Sequence, residues 1–533
     1  MKNYSILALA IMALCTGTTA EARYSGGTGE PNDPYRIATP QDLNDIGKYE
    51  EDWDKHFVLI NDVNLAGYTG TQFNRIGNST TMFTGIFDGN DHKVWSFTWS
   101  STGRNYIGLF GCVGSGGQIK NLGIENVNVN AVGGWYVGSL VGYNLGTITN
   151  CYSTGKVSET QYYCVGGLVG SNRGTITDCY FSGSVSGYGA VGGIAGLNDY
   201  YGTITYSHSI GNVSGDGDVG GLVGENNSKI SNCYSSGSIS ATGRWRIGGL
   251  VGDNWYGTIT NCYFSGSVSA ASWSSYVAGL VGDNQHGTII DCYSTASVAG
   301  GRSWTAGLVA CNLDGIIRNC YSKGNVSGRS YVGGLVGQNG DYRNTIGGFD
   351  VGPGWVYNSY STANVSGQSY VGGLVGQNGD YGEAIGVFFV PGSVYNCYST
   401  GNAGGTEYVG GLVGYAYCST INSSYSSGKV LGNKYVGGLV GGHIIKEVKG
   451  SFWDIETSGQ AISDGGTPKT TAEMKTIDTF TEAGWDFVEI WGIGENQTYP
   501  FLRTEPAGDS NHDKKVDLLD LAILASHWLE GVE

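Results

Sequence analysis

Through residues 105–452 the apolar positions of the chain come in short runs, each broken by glycine and each followed by a polar turn. One such sentence reads Val165-Gly166-Gly167-Leu168-Val169-Gly170, then Asn172, then Gly174-Thr175-Ile176-Thr177-Asp178-Cys179-Tyr180. The apolar residues are β-branched and alternate with Thr or Ser, and no helical period runs through them. Strands are predicted. The leading apolar residue recurs at Val137, Val165, Val191, Val219, Ile247, Val277, Val332, Val371, Val409 and Val436, with a weaker copy at Thr305 and an early one at Ile107. A second landmark, built on Asn-Cys-Tyr-Ser, falls at Cys151, Cys179, Ser207, Cys233, Cys262, Cys292, Cys320, Ser359, Cys397, Ser424 and Ser451. Its usual step of about 26 to 30 residues is a solenoid period. Coils of two or three short strands cannot bury their inner faces alone and must stack. The expected fold is all-β, a parallel β-helix or β-solenoid of about twelve coils.

The pattern changes at both ends. Residues 1–22 read as a secretory signal, with Lys2 before the apolar stretch from Ile6 to Leu14 and a small-x-small site at Ala20-Glu21-Ala22. Residues 23–104 carry Pro31, Pro34 and Pro40 and an acidic helical stretch, and are expected to cap the stack. Residues 105–452 form the repeat region, 453–503 a C-terminal cap with a helix near Thr471 to Glu482, and 504–533 a small helical tail. Within the repeats, Asn144, Asn172, Asn198, Asn226, Asn254, Asn284, Asn312, Asn339 and Asn378 recur at one place, as a hydrogen-bonded amide ladder would require. Two neighbouring coils are longer by about ten residues, at Gly340 to Trp355 and Gly379 to Ser393. Long loops on a rigid scaffold are where binding concentrates.

Composition narrows the partners. The 93 Gly and 36 Tyr against 8 Pro fit a repeat rod, and the net charge of −17 leaves no basic surface for nucleic acid. Beyond the signal, no apolar run reaches the roughly 20 residues of a membrane span. An exported protein with 12 Cys is normally disulfide-linked, yet here seven occupy one register of the repeat and Ser replaces them in four coils. That pattern predicts a buried ladder of free thiols. The Tyr after each landmark predicts a structural ladder beside it.

Binding chemistry has three candidate places. The extended coils gather Tyr342, Phe349, Trp355 and Tyr381 with Asp350, Asp380 and Glu383, aromatic faces and acids that suit a neutral sugar. A second stripe precedes the leading apolar residue and includes Trp245, Tyr276, Trp304 and Tyr331; strand alternation would point it outward. The third place is Asp509-Ser510-Asn511-His512-Asp513-Lys514-Lys515-Val516-Asp517-Leu518-Leu519-Asp520, followed by an apolar helix. Oxygen donors at Asp509, Asn511, Asp513, Asp517 and Asp520 have the spacing of a calcium loop of the EF-hand type, so Ca²⁺ is the expected cofactor. For catalysis the residues offer little. Asp253 and Asp283, with Glu225 nearby, are the matched carboxylates in adjacent coils, and no His-Glu-x-x-His, Gly-x-Ser-x-Gly or P-loop motif occurs.

The phrases Gly334-Leu335-Val336-Gly337 and Gly373-Leu374-Val375-Gly376 resemble the GLUG motif, and the segments Gly26 to Gly47 and Phe87 to Val94 look like those preceding such repeats in bacterial surface proteins. The tail resembles one half of a type I dockerin, although Lys514 stands where a Gly is usual and a second loop is absent. These resemblances imply a secreted or cell-surface, adhesin-like or carbohydrate-binding scaffold; such repeats also occur beside the catalytic parts of certain secreted peptidases, but with the zinc motif of those enzymes absent the expected scaffold is non-catalytic. Its expected partners are a polysaccharide or cell-envelope glycan and, through the tail, a cohesin-like anchoring domain. Two alternatives stand beside it: a polysaccharide-degrading β-helix lyase or hydrolase, and a purely structural surface protein.

Overall fold

The computed structural model describes residues 23–161, 164–345, 348–380, 390–444 and 447–503. It is a parallel β-solenoid of about 13 turns. One ladder of 15 strands begins at Tyr35–Ile37, His56–Leu59 and Ile86–Asp88 and runs in chain order to Glu447–Lys449. The stack therefore starts inside residues 23–104. A second ladder holds 12 strands of the Val-Gly-x-Asn type, from Phe110–Val113 to Val440–Ile444, and a third holds 10 short Val-Gly strands, from Val165–Gly166 to Lys434–Gly437. The remaining wall carries the Tyr-Ser and Val-Ser strands, continuous at Tyr152–Glu159 and Tyr180–Gly187 and split into two in later coils.

Register is residue on residue. Thr147, Ile148 and Thr149 pair with Thr175, Ile176 and Thr177, and these with Thr203, Ile204 and Thr205. Identical residues thus stack in columns, and the inward ones merge into one continuous apolar core from Tyr24 to Trp453. The corner before each Cys or Ser landmark is turned by a left-handed residue: φ is 50° at Asn150, 52° at Asp178, 55° at Asn232 and 53° at Asn261. Asn and Asp tolerate that region better than other side chains, which accounts for the first letter of the landmark. Glycine in the leading phrase has a different cause. A Cβ on Gly248 would lie 1.9 Å from the Val251 carbonyl oxygen, because the chain folds closely back on itself there.

Other elements pack against the stack outside the repeats. Helix Pro40–Ile46 is capped reciprocally by Thr39 and Asp42 and buries Leu43 and Ile46 in the solenoid core. At the other end Tyr425, Phe452, Met474, Phe480, Trp485 and Trp491 form a separate aromatic cluster, and the Tyr425 hydroxyl donates to the Pro500 carbonyl at 2.6 Å. The long coil after Asn339 leaves the stack as an antiparallel hairpin, Asp341–Thr345 against Gly348–Gly352.

Candidate ligand-binding surface

Three columns of side chains hold the walls. Buried Asn amides link coil to coil: Asn226 Nδ2 donates to Asn254 Oδ1 at 2.7 Å, Asn254 to Asn284 at 2.7 Å, and Asn284 to Asn312 at 2.8 Å. The thiol column works similarly. The backbone N–H of Cys233 donates to Cys262 Sγ at 3.4 Å, that of Cys179 to Ser207 Oγ at 3.1 Å, and each Sγ donates to a carbonyl two residues back. A hydroxyl does the same work as a thiol here, so Ser and Cys alternate freely. Cys151, Cys179, Cys233, Cys262, Cys292, Cys320 and Cys397 of this column form no disulfide, and burial pushes the Cys320 and Cys397 thiols up to about 12. Beside them Tyr152, Tyr180, His208, Tyr234, Tyr263, Tyr293, Tyr321, Tyr360, Tyr398 and Tyr425 stack ring on ring, with centroids 4.6 to 5.3 Å apart. Their faces are covered by one another.

The second aromatic stripe differs from the expectation. Tyr276, Trp304, Tyr331, Tyr370, Tyr408 and Tyr435 do share one column, but each has a left-handed backbone, with φ between 51° and 58°. Simple alternation therefore does not set their direction. They are stacked face to face at 4.5 to 5.7 Å, and Tyr276 and Trp304 pack on Ala278, Ala306 and Ala310. A left-handed aromatic costs roughly 1–2 kcal/mol, and aromatic stacking at about 0.5–1.5 kcal/mol per pair offsets it. Rings inside this column present edges to solvent. Trp245 belongs to no such stack: the residue of its coil that occupies the column is Arg246, which bridges Asp218 at 2.7 and 2.9 Å and Asp253 at 2.5 Å.

Glu225, Asp253 and Asp283 are adjacent in register, as their spacing suggested, yet Asp253 and Asp283 are buried. Burial raises the Asp253 carboxyl well above the usual range, opposed by Arg246 and reinforced by Asp283, and burial likewise raises Glu225. Asp253 and Asp283 are thus closed off from solvent, while Glu225 is half-buried.

An open aromatic surface lies one residue outside the column. Trp245 is 61% exposed and Trp273 54% exposed, and with Arg244, Ser275, Tyr276 and Arg302 they line a cleft of about 360 Å³. Trp273 is steadied by its Nε1–H, which donates to the Thr242 carbonyl at 2.9 Å. Both indoles are thus more than half exposed, unlike the half-buried Tyr276 and Trp304 of the column. Sequence reasoning named Trp245 and Tyr276 but missed Trp273 and both arginines, whose alignment appears only once the coils are in register.

The other candidates are dispersed. Trp355 is not in a loop: it lies on strand Gly354–Tyr357 between Ile316 and Ser393 and stacks on Tyr357 at 6.0 Å. Tyr342, Phe349 and Asp350 fall on the hairpin, where Tyr342 is opposite Val351, Phe349 opposite Asn344 and Asp350 opposite Arg343. Asp380 pairs with Val390 and accepts from Gln377 Nε2 at 3.0 Å. The two long coils do adjoin, since Gly354 N–H donates to the Pro391 carbonyl at 3.3 Å. Tyr381 and Glu383 lie outside the described residues, as do Asp509, Asn511, Asp513, Asp517 and Asp520. No described helix is long and apolar enough to cross a membrane.

Stacked coils of this kind define a glycine-rich β-solenoid of the repeat class. Comparison with known proteins agrees: the model of the GLUG motif matches residues 133–158, 161–186, 215–240, 243–269, 367–403 and 405–431. A protein of Evansella cellulosilytica, provisionally named a Gly-rich membrane protein, is 33% identical over 138 residues, which is 25% of this chain and 16% of that protein. Halomucin of Haloquadratum walsbyi is 34% identical over 148 residues, 27% of this chain and 2% of its own length. The chain thus matches only a small part of either relative. A crystal structure described provisionally as an immunoglobulin A1 protease of Bacteroides ovatus covers 52% of this chain and 80% of its own, at 23% identity and a TM-score of 0.36. That likeness carries no argument about activity.

Proposed function

We propose that this chain is an exported, non-catalytic scaffold that binds carbohydrate on the outer wall of its solenoid and is tethered by a Ca²⁺-binding tail. The observation that carries the reading is the pair of exposed indoles, Trp245 and Trp273, fixed in one cleft on a rigid wall. Exposed aromatic faces stack on the apolar face of a sugar ring, and a rod that does not rearrange loses little entropy on binding. The tail would hold the ion through Asp509, Asn511, Asp513, Asp517 and Asp520, donors whose spacing is the support for that part. Export rests on the signal-like residues 1–22.

The test is co-sedimentation of the full chain, of a chain ending at Arg503 and of Trp245→Ala with insoluble polysaccharides and cell envelopes. Each is run in Ca²⁺ and in chelator, with released sugar assayed in the same tubes. The full and truncated chains should both bind polysaccharide without releasing sugar, Trp245→Ala should bind about tenfold more weakly, and only the full chain should show Ca²⁺-dependent retention on envelopes. Binding to no saccharide overturns the reading, and sugar release replaces it with the degrading enzyme.

A further inference from the structure

Resting on that carbohydrate-binding reading, we propose that the cleft at Trp245 and Trp273 takes an acidic saccharide, whose anionic groups are held by a column of arginines. The column lies three residues before each leading apolar position. Ser275 is in register with Ser303, and Ser303 with Ser330, which places Ser274, Arg302 and Arg329 on successive coils. Arg302 N–H donates to the Ser274 carbonyl at 2.7 Å, and Ile247 pairs with Val277, which sets Arg244 on the coil before. Four consecutive coils thus read Arg244, Ser274, Arg302, Arg329. At a coil spacing of about 4.8 Å, Arg244 and Arg302 start about 10 Å apart on either side of the Trp273 coil. All three arginines are exposed.

Charge sets this column apart from the ion-paired arginines of the wall. Acidic residues outnumber basic ones by 45 to 28, and other arginines of the wall are held by carboxylates: Arg246 by Asp218 and Asp253, Arg173 by Asp199. Among the described residues no carboxylate pairs with Arg244 or Arg302, and Arg329 donates to the Gln368 amide oxygen at 3.1 Å. In an acid-rich protein such arginines keep their planar, forked donors for an outside partner. A guanidinium accepts a carboxylate or sulfate in bidentate fashion, while the neighbouring indoles take the sugar ring. The anionic stretch of the same column bounds the site: Asp216 precedes Arg244 and is tied to the Thr242 hydroxyl. Neutral Gln368 follows Arg329. The net charge opposes a long polyanion at a distance, but beyond about 8 Å that repulsion is screened at physiological salt, whereas the contacts in the cleft are local.

The experiment titrates the full chain with alginate, polygalacturonate and hyaluronan, with dextran sulfate, with carboxyl-reduced polygalacturonate and neutral dextran, and with a single-stranded DNA oligomer. Binding to a polyuronate or to dextran sulfate is expected, the two arms separating carboxylate from sulfate, with loss of about tenfold or more in the Arg244→Gln/Arg302→Gln variant. Both substitutions are at exposed positions, and unchanged far-ultraviolet dichroism with retained urea stability establishes that the variant is folded. If neutral dextran or the reduced polymer binds as well as the acidic ones and the variant binds normally, the acidic specificity is refuted while carbohydrate binding stands. If no saccharide binds, both fall. DNA binding tighter than any acidic saccharide overturns the proposal in favour of a nucleic-acid partner.

Discussion

Replacing Asn254 by Ala tests whether the amide column is a main support of the rod. Asn254 is fully buried; its Nδ2 donates to Asn284 Oδ1 at 2.7 Å and to the Gly257 carbonyl at 3.0 Å, and its Oδ1 accepts from Asn226 Nδ2 at 2.7 Å. Each buried hydrogen bond contributes about 1 kcal/mol net, and a buried polar group deprived of its partner costs about 1–3 kcal/mol. Asn226 Nδ2 retains the Ser228 carbonyl at 3.0 Å, which softens its loss. The expected destabilisation is about 3–5 kcal/mol, felt first in the coils around residue 254, because a solenoid is stabilised by nearest neighbours. Urea unfolding followed by far-ultraviolet dichroism should show a lower midpoint or a separate early transition. The control is Asn364→Ala, in an exposed amide row where Asn364 Nδ2 reaches Asn325 Oδ1 at 3.4 Å, which should cost less than about 1 kcal/mol. Equal costs for the two substitutions would refute the reasoning.

Two further outcomes follow from the other columns. Cys262→Ser should lie within about 1 kcal/mol of the parent, because a hydroxyl can take the Cys233 N–H and reach the Thr260 carbonyl as the thiol does at 3.4 and 3.0 Å, whereas Cys262→Ala should cost about 1–3 kcal/mol; equal urea midpoints for the two would contradict the hydrogen-bond account. His208 is stacked between Tyr180 and Tyr234, and burial lowers its pKa, so its contribution is fully present above the unfolded histidine value of about 6.5 and is lost as pH falls through the depressed folded value. His208→Tyr should flatten that part of the stability profile, and an unaltered slope below pH 6.5 would show that His208 does not titrate on unfolding.

Much of the architecture was legible in the sequence because a solenoid repeats its solution. The coil period, the parallel stacking, the amide column and the free thiols all follow from residues that recur at one step, each serving the same backbone need in every coil. The start of the stack was less visible. Tyr35–Ile37, His56–Leu59 and Ile86–Asp88 stack on the same sheet without the glycine phrase, since the close backbone fold that demands Gly at Gly248 belongs to the other wall. The stripe before the leading apolar residues was visible as composition but not as geometry. Left-handed φ at Tyr276, Trp304 and Tyr331 cancels the alternation from which an outward direction would be read.

That failure explains why the candidate cleft was only half seen. Within a column of equivalent residues, neighbours satisfy one another: Tyr stacks on Tyr, Asn bonds Asn, and a thiol caps the next coil's N–H. Residues that serve the stack thus have their faces and donors occupied, and repetition itself marks them as structural. Surface left for a partner arises where the repeat is broken and the neighbour is of a different kind. Arg246 interrupts the aromatic column and is consumed internally by Asp218 and Asp253, while Trp245, one residue earlier, is displaced out of the column and remains exposed. Trp273 enters from the adjacent coil through the longer turn before Ser274, and Arg302 from the coil after it. Trp273 has no aromatic counterpart at the repeat step, and Arg302 shares its register with Arg244 and Arg329 across the intervening Ser274, so a search for periodic aromatics passes over both. Their meeting depends on in-register stacking of coils of unequal length, which the order of residues along the chain does not display.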